Sequence, residues 1–90
     1  MIEFEWNIEK ARTNLIKHGV SFEEAVTVFD DPFAHYFQDD FHSMNEDRFI
    51  IRGYSNSNNL LVVSFTIRSD KTRIISSRFA TKKERKQHEK

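Results

Sequence analysis

Arginine recurs in the second half of the chain at positions that strand alternation gathers onto one face. Reading Arg48 to Tyr54, Leu60 to Arg68 and Thr72 to Phe79 as strands puts Arg48, Arg52 and Tyr54, then Ser64, Thr66 and Arg68, then Ser76 and Arg78 on the same side. A guanidinium is planar, permanently charged and forked, which suits it to phosphate oxygens. Hydroxyls and an aromatic ring among such groups suit the sugar, phosphate and base contacts of RNA. Arg73 falls on the other parity near a strand start, where it serves either phosphate binding or an ion pair. Ile50, Leu60, Val62 and Ile74 share the arginine face, so a face that carries arginine and threonine for solubility alone is the competing reading. A single bulge would invert these parities.

Two other groups of side chains invite chemistry less strongly. His35, Asp39, Asp40 and His42 are metal-ligand types packed closely in sequence. They straddle a strand end and a loop, match no strong ligand spacing and lie outside the arginine face, so no metal is expected. Lys82, Lys83, Arg85 and Lys86 form a basic run that either tracks a nucleic-acid backbone, docks an acidic partner or is a solvated helix face.

The elements that must hold these groups come from only 90 residues, read as a single domain over 1–90. A chain this short buries only about 60–65% of its unfolded surface, and with no cysteine it has neither disulfides nor thiol sites. Association with a partner is the usual remaining source of stability. The N-terminal Met1-Ile2-Glu3-Phe4-Glu5-Trp6 is acidic, unlike a signal peptide, and the longest apolar run is Leu60-Leu61-Val62-Val63. A soluble cytosolic protein, away from membranes, is the expectation. Net charge is zero, yet Met1 to Asp47 carries eleven acids against three bases and Arg48 to Lys90 the reverse. Such asymmetry accords either with nucleic-acid contact or with halves that neutralise each other in the fold.

Ile2, Phe4 and Trp6 alternate with Met1, Glu3 and Glu5, the period of a half-buried strand. Asn7 is placed to cap a helix whose face is Ile8, Ala11 and Leu15, and Gly19 to end it after Lys17 and His18. Ser21-Phe22-Glu23-Glu24 reads as a capping box opening a second helix with Phe22, Ala25, Val26 and Phe29 inward. Asp30-Asp31-Pro32 stops it. Phe33 to Gln38 then reads as a strand, and Asp39 to Glu46 as a polar loop. The three strands named above follow as an antiparallel meander. Its core face is Phe49, Ile51, Leu61, Val63, Phe65, Ile67, Ile75 and Phe79. Thr81-Lys82-Lys83-Glu84 opens a last, basic helix. The order β-α-α-β-β-β-β-α predicts an α+β fold, a mainly antiparallel sheet with helices packed on one face.

Several of these motifs are familiar as a set. Phe4-Glu5-Trp6-Asn7, Lys10-Ala11, Asn14-Leu15 and Lys17-His18-Gly19-Val20-Ser21-Phe22-Glu23-Glu24-Ala25 resemble the opening of the BrnT toxin family. Glu46-Asp47-Arg48 is similar to the acidic-then-basic step that family shows before its meander. Arg73-Ile74-Ile75-Ser76-Ser77-Arg78 with Ala80-Thr81-Lys82-Lys83-Glu84-Arg85 is similar to its closing signature. The resemblance spans Phe4 to about Arg85. Asn7 stands where the family often has aspartate, and Phe79 where a further arginine is common.

The resemblance implies a RelE-like fold and a type II toxin that inhibits translation by cleaving RNA, free or on the ribosome. It further implies neutralisation by a BrnA-like ribbon-helix-helix antitoxin, through which alone operator DNA would be reached, with a homodimer or 2:2 assembly in view. Metal-independent cleavage needs an activated 2′-hydroxyl, a stabilised phosphorane and a protonated leaving oxygen. Arg78 and Arg68 are the expected phosphate clamp, with His18 and Lys17 behind them for acid–base work. Arg48, Arg52, Tyr54, Thr66, Arg73, Ser76, Lys82 and Lys83 are the expected RNA contacts, and no cofactor is called for. The alternative reading is a module that binds RNA or ribosomes without cutting, or an antitoxin partner acting in operon autoregulation.

Overall fold

A computed structural model describes residues 1–42 and 46–90. In chain order the elements are β1 (Glu3–Glu5), α1 (Ile8–His18), α2 (Phe22–Thr27), β2 (His35–Gln38), β3 (Arg48–Tyr54), β4 (Leu60–Arg68), β5 (Lys71–Phe79) and α3 (Lys82–His88). Single 3₁₀ turns, Val28–Asp30 and Asp40–His42, flank β2. The expected loop from Asp39 to Glu46 contains 43–45, which lie outside the described residues. The fold is a mixed α+β one, with the strands in the spatial order β1-β5-β4-β3-β2. All pairs are antiparallel except β1 with β5, which run parallel. No helix among the described residues is long and apolar enough to cross a membrane.

Capping chemistry sets the helix ends. Asn7 accepts from the Lys10 amide at 3.0 Å, and Gly19, at φ 71°, takes the left-handed conformation that ends α1. Ser21 accepts from the Glu24 amide at 3.0 Å, but Glu24 does not complete a capping box. Its carboxylate instead receives the Ser55 hydroxyl at 2.6 Å and the Asn59 amide at 2.8 Å, tying α2 to the β3–β4 turn. Thr81 and Glu84 do form the reciprocal box at the start of α3.

The core lies between α1, α2 and one sheet face. Val20, Phe22, Ala25, Val28, Ile51, Leu61, Val63, Phe65 and Ile74 form it, with Phe4, Trp6, Ala11, Phe29 and Phe49 packed around. Edge-to-face contacts link Phe4 to Phe29 at 5.0 Å and Phe29 to Phe65 at 5.1 Å, the arrangement the ring quadrupole favours. Gly53 lets the chain after α2 lie close to β3: an added Cβ there would stand 2.9 Å from the Ala34 Cβ and 3.1 Å from a Val28 methyl.

Three features differ from what periodicity predicts. The pairing of β4 and β5 shifts register at Ser64/Phe65, so that Ser64 faces Ser76 while Phe65 faces Ile74. Ile75 is the extra residue of this bulge, and the buried core position belongs to Ile74. Ile67 and Phe79, at the ends of their strands, remain exposed. On α1, Ile8 and Leu15 point outward, and the buried position is Asn14. Finally, the helices are not all on one face. The side chains of α3 bond to Arg78, Arg52 and Tyr54, so this helix lies across the side opposite α1 and α2.

Asn14 explains why α1 packs where it does. β1 covers the outer edge of β5 only along Lys71 to Arg73. Beyond that point the Asn14 side chain takes over: its Nδ2 donates to the Ser77 carbonyl at 2.8 Å and its Oδ1 accepts from the Ser77 amide at 3.1 Å. Nδ2 also donates to the Val20 carbonyl at 3.0 Å. One amide side chain thereby satisfies edge groups that a longer β1 would have paired.

Candidate active site

Register assembles the arginine face from adjacent strands. Thr66 of β4 pairs with Arg48 of β3 on one side and with Arg73 of β5 on the other, and Arg73 pairs with Glu5 of β1. Glu5, Arg73, Thr66 and Arg48 therefore form one cross-strand row. The bulge is what brings Arg73 into it, correcting the opposite parity that simple alternation assigns. The row continues one strand further, because the Asp39 amide donates to the Arg48 carbonyl at 2.8 Å, extending the β2–β3 ladder past Gln38. Arg68 lies one row outward, opposite Lys71, while Ser64 with Ser76 and then Val62 with Arg78 lie in the other direction.

Each of these guanidinium groups has a partner that shapes its availability. Arg73 donates through Nη1 to Glu5 at 3.2 Å, and Arg68 through Nε to Glu46 at 3.2 Å. Arg78 is gripped by both oxygens of Glu84 at 2.8 and 3.0 Å. That fork lowers the Glu84 carboxyl to about 2, chiefly through the hydrogen bonds from Arg78, and raises Arg78 in turn. Glu84 also closes the capping box of α3, so the pair fastens that helix to β5.

The other expected contacts divide by what covers them. Arg52, 7% exposed, is held between two imidazoles: Nε donates to His88 at 3.1 Å, Nη2 lies 3.1 Å from the His35 Nδ1, and the group stacks 5.1 Å over Phe37. Burial first, then the positive charge of its neighbours, lowers the His88 pKa. Tyr54 donates to Glu89 at 3.2 Å. α3 thus covers Arg52 at this end of the face, while Tyr54 is tied to the end of the helix but stays partly exposed. Thr66 is 1% exposed and gives its hydroxyl to the Asp47 carbonyl at 2.6 Å, so it too is spent on the fold. Lys82 and Lys83 are exposed on α3.

Lys17 and His18 do not join the row, because α1 lies on the opposite side of the sheet. They line a groove of about 310 Å³ at the β5 edge, with Lys10, Thr13, Ile75 and Ser76. Ser76 is the point where this groove and the arginine face meet. The sequence group His35, Asp39, Asp40 and His42 separates: His35 sits at the Arg52 end of β2, and His42 bonds through Nδ1 to Asp39 at 2.9 Å at the Arg48 end. The sequence marks Asp39 only as part of a metal-ligand-type group outside the arginine face, whereas the ladder sets it beside Arg48; Glu5, beside Arg73, carries no signal in the sequence pattern.

A family model described as the ribonuclease toxin BrnT of type II toxin–antitoxin systems matches residues 6–84. The chain belongs to the BrnT family of ribonuclease toxins. Its fold is also that of the crystal structure of the Brucella abortus ribonuclease toxin BrnT. The two share a TM-score of 0.69 over 91% of this chain and 100% of that one, at 24% identity. No curated protein matches the chain in sequence. The matched span includes β3, β4 and β5, the strands that carry Arg48, Arg68, Arg73 and Arg78.

Proposed function

We propose that this BrnT-family chain is a metal-independent endoribonuclease with a RelE-like arrangement, and that its catalytic surface is the open end of the arginine face. The observation that carries this reading is the convergence of Arg48, Arg73 and Arg68 on neighbouring strands at the end that α3 leaves uncovered. A guanidinium has five N–H donors, and Arg68 and Arg73 use one each on carboxylates among the described residues. Their remaining donors can meet the non-bridging oxygens of a phosphodiester and stabilise the charge that develops when the 2′-oxygen attacks. Arg78, paired with the ionised Glu84, anchors the strand two residues from Ser76. Lys17 and His18 suit the RNA backbone as it leaves the face at the Ser76 edge.

The partner on this reading is a BrnA-like ribbon-helix-helix antitoxin, in a 2:2 assembly, with operator DNA reached only through it. The substrate is RNA, and cleavage inhibits translation in the cytoplasm. The test is cleavage of a single-stranded RNA by the purified chain with and without EDTA. Cutting should persist at the same rate in EDTA. RNA that is bound but left uncut would instead favour a binding module, and cutting abolished by EDTA would overturn metal independence.

A further inference from the structure

The cross-strand row has a member at its β2 end with no function so far. His42 is exposed, at 65% of its side chain, while Asp39 beneath it is only 13% exposed. The imidazole Nδ1 lies 2.9 Å from the Asp39 Oδ2, and a carboxylate there can only accept, so Nδ1 carries the proton and the Nε2 lone pair points away from Asp39. Alternation along β2 places His35, Phe37 and Asp39 on the side of Arg52, Ile50 and Arg48. Neighbouring strands are about 4.8 Å apart, so Asp39 stands one strand spacing from Arg48 on the arginine face. The row therefore ends in a carboxylate, mostly buried, that holds a solvent-facing imidazole in one tautomer. That is the arrangement of an oriented general base.

We propose that His42 is the general base of RNA cleavage by this chain and that Asp39 is its positioning residue; the proposal rests on the ribonuclease reading above. The Nε2 of His42 takes the proton of the 2′-hydroxyl, and the O2′–P bond forms as the P–O5′ bond breaks. The leaving 5′-oxygen takes a proton from water, and the hydroxide so formed recovers the proton from the imidazolium. The products are a 2′,3′-cyclic phosphate and a 5′-hydroxyl. Arg48, Arg68 and Arg73 hold the phosphorane while this happens.

The experiment compares wild type, His42→Ala and Asp39→Asn in the full chain on one RNA, with circular dichroism to confirm folding and added imidazole as a probe. Loss of an oriented general base costs on the order of a hundredfold or more in rate. His42→Ala should therefore lower kcat about 100-fold with KM within about threefold, and imidazole in solution should restore at least about tenfold of the loss. Asp39→Asn should lower kcat with KM unchanged and should not respond to imidazole, since the ring is present but no longer held. If wild type cuts and His42→Ala cuts within about threefold of it, or loses activity that imidazole does not return, the assignment is overturned. A wild-type chain that leaves RNA uncut would instead defeat the ribonuclease reading itself, so the two failures are distinct.

Discussion

Arg73→Ala should lower RNA cleavage by about 100-fold or more while leaving the protein folded, because removing one preorganised donor to a transition-state oxyanion costs about 3–4 kcal/mol. The position is decided by the bulge at Ser64/Phe65, which turns Arg73 onto the face of Arg48. Among the described residues its side chain pairs with Glu5, both partners about a quarter to a third exposed, and a pair of that kind contributes at most about 1 kcal/mol to stability. The companion change separates chemistry from packing. Glu5→Gln breaks the same ion pair but leaves the guanidinium in place, so cleavage should change by no more than a few-fold. Equal losses in the two variants would mean that the ion pair, not a phosphate contact, is what Arg73 is for. Steady-state cleavage beside a melting curve for each variant decides between them.

Asn14→Ala carries the largest expected effect on stability. It deletes three hydrogen bonds at once and leaves the Ser77 amide, the Ser77 carbonyl and the Val20 carbonyl without their partner. Each buried group left unsatisfied costs about 1–3 kcal/mol, offset where water enters from the groove that Asn14 lines. A loss of about 3 kcal/mol follows, and for a domain of this size that lowers Tm by roughly 15 °C. Asn14→Leu should do no better, because a branched apolar side chain cannot pair a strand edge. Thermal or urea unfolding checks this. A loss under about 1 kcal/mol would show that water, not Asn14, satisfies this stretch of β5.

Asn14 also shows what the sequence concealed. Ile8, Ala11 and Leu15 have the spacing of a helical face, yet the helix turns an asparagine inward, because α1 covers a sheet edge with backbone groups to satisfy as well as apolar surface. Element ends were legible where local chemistry determines them: Asn7, Gly19, Ser21 and Thr81 cap as their types suggest. The β3 and β4 strands run as alternation predicts, from Arg48 to Tyr54 and from Leu60 to Arg68. The bulge was not legible, since Ile74 and Ile75 are equally apolar and only pairing with β4 chooses between them. Nor was the side taken by α3, which buries none of its residues and docks through polar contacts with Arg78, Arg52 and Tyr54. Strand parity puts Arg48, Arg68 and Arg78 on one face, as the pairing does, but does not show the burial of Arg52 and Thr66 there. Asp39 joins the face through a ladder bond beyond the end of β2, which no local pattern announces, and His42 bonds to its carboxylate.

The most direct test of the arginine face sets it against the α1 groove. Single-turnover cleavage of one RNA at saturating protein would be measured for Arg68→Ala/Arg73→Ala and for Lys17→Ala/His18→Ala, each checked for a native melting transition. A loss of at least about a thousandfold is expected in the first pair, where two transition-state donors are gone, and a loss within about tenfold in the second. A groove variant that is inactive beside a face variant that cuts at nearly the wild-type rate would contradict the arginine face as the catalytic surface.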